Sequence, residues 1–211
     1  MNDSFVIRGL VVARGTETLG VSSVKDAKIA VYSCAMSVET AETKGTIVIK
    51  TAEELLNYNK SEEQLSYKFV KSIADSGCNV VVCGGSISEL VLHYLEKYKI
   101  MTIKVTSKFE LRRISKLLGA TSLFRIGAPT PDEFGHASSV DVQEIGSNRV
   151  TVFRRDDKDD CRLATLVIRG SSNNLLDDVE RAIDDGVHTY ANLCRDPRFV
   201  YGAGSAEIVI L

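Results

Sequence analysis

The sequence lacks the features that mark several classes of protein. Its 211 residues include only three prolines and no low-complexity tract, which argues against long disordered linkers. No apolar run approaches the ~20 residues that a membrane span needs, so we predict no membrane association. Lys and Arg together number 26 against 28 Asp and Glu, giving a net charge of -2. Because phosphate binding needs a basic surplus, we predict no nucleic-acid partner.

Cysteines and histidines are present without the spacing of a disulfide framework or a metal site. The five cysteines are an odd number and are widely separated: Cys34, Cys78, Cys83, Cys161 and Cys194. This usage predicts reduced, mostly buried thiols in a cytosolic protein. The three histidines show no spacing typical of metal ligands, and we predict no metal site.

The apolar pattern predicts an α/β fold. Val80–Cys83 and Met101–Val105 are β-rich runs, and each is followed by a helical pattern, at Ser86–Tyr98 and Ser107–Leu118. Strands and helices that alternate with short connections indicate a parallel sheet. Other β-rich runs predict six further strands: Phe5–Ala13, Lys28–Ser33, Thr46–Ile49, Val140–Ile145, Arg149–Phe153 and Leu163–Arg169. A turn is predicted at Ser147-Asn148. A long helix is predicted near residues 174–193.

Capping boxes, in which Ser or Thr is followed three residues later by Glu or Gln, predict helix starts at Thr51, Ser61, Ser86 and Ser107. Boxes at Thr51 and Ser61 predict a short helix that ends at Tyr58, a bend at Asn59-Lys60 and a second helix that ends near Gly77. The short helix carries Leu55, Leu56 and Tyr58, which need a surface to pack on because two turns are unstable alone. They either pack within their own domain or form an arm that meets a neighbour.

Three segments could carry chemistry. Gly84-Gly85-Ser86 lies between a strand and a helix, where backbone amides could bind an anion, although tight packing at a turn is the more usual reason for such glycines. The helix from Ser107 places its cations opposite its apolar residues, with Phe109 on the flank. That face is either simply solvated or a recognition surface, because an aromatic residue supplies contact area and cations supply selectivity. Asp185, in the last long helix, has no reacting group in evident reach.

The sequence also resembles a known family, the group II chaperonins, and in particular their eukaryotic cytosolic branch (CCT or TRiC). The resemblance is carried, in chain order, by Glu42–Leu56, Ala74–Val82, His93-Tyr94, Lys108–Arg113, Leu166–Gly170, Asp177–Asp185 and Gly202–Glu207. It implies an apical-domain fold of central β-sheets flanked by helices, with a two-helix protrusion, plus part of a helical intermediate domain.

The resemblance implies that this chain is a piece of a longer subunit, and it implies how the chain is divided into domains. Residues 1–25 would be an intermediate-domain segment with a hinge, 26–169 the apical domain with a protrusion at about 51–72, and 170–211 a second intermediate-domain segment. The equatorial domain that holds nucleotide would be missing, so we expect this chain alone to be no enzyme and to bind no cofactor. The longer subunit would use ATP and Mg.

The resemblance also implies roles for individual residues. Phe109, Arg112, Arg113 and Lys116, with the loop near Ser33–Glu42, would bind unfolded client proteins. Asp185 would orient the water that attacks ATP, and Gly202 and Gly204 would lie near the nucleotide, with Ala203 at the middle position of the family's glycine triplet. Leu55, Leu56 and Tyr58 would belong to the lid.

The implied partners are client proteins of the actin and tubulin class, and other subunits in a hetero-oligomeric double ring in the cytoplasm. We expect the isolated chain to be a monomer. Two alternatives remain open at this point. One is a small α/β enzyme that binds a phosphorylated ligand at Gly84-Gly85-Ser86, with Asp185 as a base. The other is a scaffold or adaptor domain that binds a single folded partner.

Overall fold

A computed structural model describes residues 3–37, 52–155 and 163–211, with the backbone alone at 52–62. The strands are β1 Phe5–Val12, β2 Ser23–Tyr32, β3 Val80–Cys83, β4 Met101–Lys104, β5 Ser122–Leu123, β6 Gly135–Ile145, β7 Asn148–Arg154 and β8 Ala164–Val167. The helices are α1 Ala52–Asp75, α2 Glu89–Lys97, α3 Lys108–Leu118, α4 Asn173–Arg195 and α5 Ser205–Ile210.

All of these strands belong to one mixed sheet, in the order β4-β3-β2-β6-β7-β1-β8, with β5 paired to β2. The pairs β2–β3 and β3–β4 are parallel, with Ile29 opposite Val80 and Val80 opposite Met101. One edge of β2 is shared by two strands, since β6 pairs antiparallel as far as Ile29 and β5 pairs parallel beyond it. The predicted α/β class with a parallel unit is confirmed.

Side chains on β2 alternate between two cores. Ile29 and Val31 pack with the buried face of α3, while Ala30 and Tyr32 pack with α1 and α2. Alternation follows from the two-residue period of a strand, and burial on both faces explains the near-continuous apolar run of β3. The result is a sheet covered by helices on both faces, which fixes α3 against the carboxyl ends of the parallel strands.

The predicted break at Asn59-Lys60 is wrong, because α1 is continuous from Ala52 to Asp75. No Pro or Gly interrupts this stretch, and Asn or Ser inside a helix costs only a few tenths of a kcal/mol relative to better helix formers. The apolar pattern after the predicted bend buries Phe69 and Ile73, although Leu65 stays exposed. In the described residues the predicted arm is therefore one helix, and residues 38–51, with the predicted strand at Thr46–Ile49, lie outside them.

The predicted helix start at Ser86 is also wrong, and α2 begins at Glu89 after its N-cap residue Ser88. A distant segment holds Ser86 and Ser88 in an extended bridge. The Met36 N–H donates to the Ser86 carbonyl at 2.8 Å, and the Ser88 N–H donates to the Met36 carbonyl at 3.1 Å.

The predicted turn at Ser147-Asn148 lies one residue too late, because Ile145 pairs with Asn148 across the hairpin.

Residue contacts divide the chain into two compact units, residues 6–165 and residues 1–5 with 166–211. In the second unit, α4 confirms the predicted long helix. Its residues Leu176, Val179 and Ile183 are half-buried, whereas Val187 and Tyr190 are exposed. The predicted domain limits at 25/26 and 169/170 remain predictions. Among the described residues, no helix is long and apolar enough to cross a membrane.

Candidate functional site

The helix α3 has the two faces that its sequence predicts. Its start is fixed by Ser107, whose hydroxyl accepts a hydrogen bond from the Glu110 N–H at 3.4 Å, and its end by Gly119 in the left-handed conformation (φ 69°). The apolar face is buried against the sheet at Leu111, Ile114, Leu117 and Leu118. The predicted helix start at Ser107 and the predicted core face are thus both confirmed, and of the capping box the bond from the Glu110 N–H to the Ser107 hydroxyl is present.

The opposite face of α3 is exposed and cationic. Arg112, Arg113 and Lys116 are exposed, and the ring of Phe109 is 79% exposed. Within the described part of the chain, none of these three cations forms an ion pair or a hydrogen bond through its side chain. Their charges are therefore available to a partner, and the structure brings all four predicted client-contact residues onto one helix surface.

A groove of about 430 Å³ opens beside α3, where the parallel strands end. Ser33, Gly84 and Val105 each follow a strand and line one side, and Leu111 and Arg112 of α3 line another. The carboxyl edge of an open parallel sheet is where such folds usually bind ligands. Ser33 belongs to the loop predicted at Ser33–Glu42 to bind clients, and residues 38–42 of that loop lie outside the described residues.

Phe124 also lines the groove, and its part in the site was not predicted from the sequence. Its ring is 81% exposed, and it follows the two-residue strand β5, whose Leu123 is buried; the apolar residues Phe124 and Ile126 beside a turn-prone segment were the only sequence signal for it. Ser115 Oγ on α3 lies 3.0 Å from Ser122 Oγ on β5, which holds the two walls at a fixed spacing.

The segment that follows Phe124, here called the groove loop (residues 124–130), is held by hydrogen bonds. The buried hydroxyl of Tyr32 donates to the Gly127 carbonyl at 2.8 Å, and burial raises the pKa of Tyr32 well above its ordinary value. The Glu133 carboxylate accepts from the Thr130 N–H at 2.7 Å and from Arg125 at 3.0 and 3.1 Å. The Thr130 hydrogen bond is the main reason that the pKa of Glu133 is lowered.

The glycine pair Gly84-Gly85 is explained by packing. A Cβ on Gly84 would lie 3.0 Å from Leu111, and a Cβ on Gly85 would lie 2.7 Å from the backbone of Ala35. The Gly84 N–H already donates to the Tyr32 carbonyl at 2.7 Å. The geometry therefore favours the close-packed turn over the anion site.

The four described cysteines are free thiols, Cys34, Cys78, Cys83 and Cys194. Cys78 and Cys83 are buried, and burial raises the pKa of Cys78 to about 11. Cys161 lies outside the described residues. Among the residues that are described, no group of three acidic, His or Cys side chains could hold a metal ion.

The residues predicted to act on nucleotide all lie in the second compact unit. Asp185 is exposed on α4, and Gly204 adopts a left-handed conformation (φ 81°) just before α5. Gly202 has open space where a Cβ would stand, so a ligand could approach its backbone closely. Leu55, Leu56 and Tyr58 lie on α1, and the structure describes no side chains there.

Taken together, the chain contains an α/β domain with an open groove beside α3, a helix whose exposed face is cationic. Comparison with known proteins identifies the family. The whole chain, residues 1–211, matches the TCP-1/cpn60 chaperonin family, and the protein belongs to it.

Several relatives share this similarity over nearly the whole chain. This chain is 50% identical over 208 residues to the human T-complex protein 1 subunit theta. It is 43% identical over 208 residues to the theta subunit of Dictyostelium discoideum. The probable theta subunit of Schizosaccharomyces pombe is 46% identical over 206 residues. These alignments cover 98–99% of this chain but only 37–38% of the relatives. Within the family, the sequence resembles the theta subunit most at Val31–Cys34 and Gly127–Pro131, and the names of these relatives confirm the theta subunit as the similar member.

A solved structure supports the fold. The open-state monomer of a group II chaperonin from Methanococcoides burtonii matches with a TM-score of 0.68 and 24% identity, over 89% of this chain and 40% of that one. The predicted chaperonin fold is thereby confirmed.

Proposed function

We propose that this chain is the client-binding and lid-forming part of an ATP-dependent chaperonin subunit. The observation that carries the proposal is the exposed face of α3, where Phe109 stands with Arg112, Arg113 and Lys116 beside an open groove. Non-native chains expose mixed apolar and charged segments that folded proteins bury. A rigid helix that presents an aromatic ring among exposed cations suits such segments, because the ring supplies contact area and the cations select charge.

The longer subunit would couple this surface to ATP. ATP, with its Mg, would be bound and hydrolysed in the rest of the subunit, and this chain would respond by a hinge-type rigid-body rotation. Two of the residues expected to act on the nucleotide suit that role. The carboxylate of Asp185 is exposed and could orient a water molecule, and the open space at Gly202 would let a nucleotide approach its backbone closely. Neither residue can act on ATP without the nucleotide site outside this chain, so we expect the chain alone to be catalytically silent.

The partners would be those of a cytoplasmic chaperonin. They are unfolded clients of the actin and tubulin class and other subunits of a hetero-oligomeric double ring, which would meet the protruding arm that α1 forms part of. The isolated chain would be a monomer. The enzyme alternative is not favoured, because packing accounts for Gly84 and Gly85.

The test is fluorescence anisotropy of a labelled, chemically unfolded actin titrated with the chain. We expect binding that is selective for unfolded over native actin and is lost in Arg112→Glu/Arg113→Glu/Lys116→Glu. A matched control, Lys25→Glu/Lys97→Glu/Arg149→Glu, reverses the same number of exposed cations away from α3 and should bind like the unchanged chain. Circular dichroism would confirm that both variants fold.

Two outcomes would contradict the proposal. Equal binding by the α3 variant would show that the exposed face of α3 does not hold clients. Binding to native but not unfolded partners would favour the scaffold or adaptor domain.

A further inference from the structure

We infer that the groove beside α3 selects one class of client segment, an extended stretch in which an aromatic or large aliphatic residue is flanked by acidic residues. This inference rests on the proposed function and specifies which part of a non-native chain the site would hold. It adds Phe124, which the similarity to chaperonins did not single out, as a specificity-determining residue.

The apolar part of the inference comes from the shape of the groove. Its volume of about 430 Å³ lies within the ~300–1,000 Å³ range of ligand pockets. Val105 and Leu111 supply apolar surface, while Phe124 stands on the other side with most of its ring in solvent. An exposed aromatic ring at the edge of a concave apolar surface can bury more area against a partner. A client side chain placed in the groove would cover the ring.

The charged part comes from the residues around the groove. Among the described residues, Lys108 and Arg112 are the only charged residues that line it, and both are exposed cations without a described partner. Arg113 and Lys116 continue the same sign along α3. The nearest carboxylate on the helix, Glu110, does not line the groove. A segment with acidic residues beside its apolar anchor is therefore attracted, and a basic segment is repelled.

The walls are also pre-organised. Ser115 and Ser122 connect α3 to β5 at 3.0 Å, and the Tyr32 hydroxyl fixes the groove loop at Gly127. Phe124 is consequently held close to its place before a client arrives, so little ordering entropy opposes binding.

The experiment uses two fluorescein-labelled ten-residue peptides with the same central Phe, one flanked by Glu and the other by Lys. We expect the acidic peptide to bind the 211-residue chain about tenfold more tightly at low salt, and this preference to shrink as salt is raised. Phe124→Ser should weaken the acidic peptide about tenfold, the size expected for an aromatic anchor.

Two further variants separate the contributions. Ile126→Ser is the matched control, because Ile126 is a half-exposed residue of the same loop that does not line the groove, and it should leave binding unchanged. Lys108→Gln/Arg112→Gln should remove the preference for the acidic peptide. These residues are exposed, so the variants are expected to fold.

The two proposals fail in different ways. Equal affinity for both peptides, or an unchanged affinity in Phe124→Ser, would overturn the groove inference even if unfolded actin still binds through α3. Loss of unfolded-actin binding altogether would overturn the proposed function itself. Preference for the basic peptide would show that the sign of the recognition is wrong.

Discussion

Replacing Gly85 by alanine should destabilise the larger compact unit by about 3 kcal/mol, the upper end of ordinary overpacking. A Cβ there would lie 2.7 Å from both the Cα and the N of Ala35 and 2.9 Å from the carbonyl carbon of Cys34, whereas ordinary contacts begin near 3.4 Å. All three are backbone atoms. They cannot retreat easily, because the next residue, Met36, is hydrogen-bonded in both directions to Ser86 and Ser88. Gly85 does not adopt a positive φ, so the cost is steric.

The assay is thermal unfolding followed by circular dichroism. For a unit of this size, ~3 kcal/mol corresponds to a fall in Tm of about 6–12 °C. Gly20→Ala is the control, since Gly20 has no atom within 4 Å of its Cβ position and no positive φ, and its Tm should stay nearly unchanged. If Gly85→Ala had the same Tm as Gly20→Ala, the close-packed turn would be refuted, and Gly84 and Gly85 would again need a functional explanation.

Two further predictions concern buried polar groups. Tyr32→Phe removes the hydroxyl that fixes the groove loop and should lower the free energy of unfolding in urea by about 1 kcal/mol, whereas Tyr201→Phe, on a ring that is 90% exposed, should change nothing. Because burial raises the pKa of Cys78 to about 11 and keeps it protonated, iodoacetamide at pH 8 should modify exposed Cys194 first and Cys78 only as the chain unfolds. Modification of folded Cys78 at the rate of Cys194, read by mass spectrometry, would contradict this.

Much of the fold could be predicted from local patterns in the sequence. The strand Val80–Cys83 is predicted at its observed limits, and the helix from Ser107 is predicted with its cap, its buried face and its exposed cations. These elements succeed because their signals are local: a four-residue apolar run, a capping residue and a period of 3.6 residues. In each case the tertiary environment agrees with the local preference.

The errors arise where distant residues decide the local structure. The pattern at Ser61 is that of a helix start, yet the helix continues through it because residues further on, such as Val70, bury against the sheet. The same pattern at Ser86 fails because Met36, fifty residues earlier in the chain, holds that segment extended. A capping box indicates only the local hydrogen bonds that a helix start at that position would form. A tertiary contact that stabilises another conformation more strongly can override this preference.

The groove shows the same limit for the candidate site. Its client-facing helix is visible in the sequence because Phe109 and the cations of α3 lie within one short segment. The contribution of Phe124 is not visible, because its segment lies beside that helix only after β5 has paired with β2 and Ser122 has met Ser115. One surface of the site is thus encoded by periodicity and the other by topology. Substitution of Phe124 therefore tests the part of the recognition surface that the sequence alone could not predict.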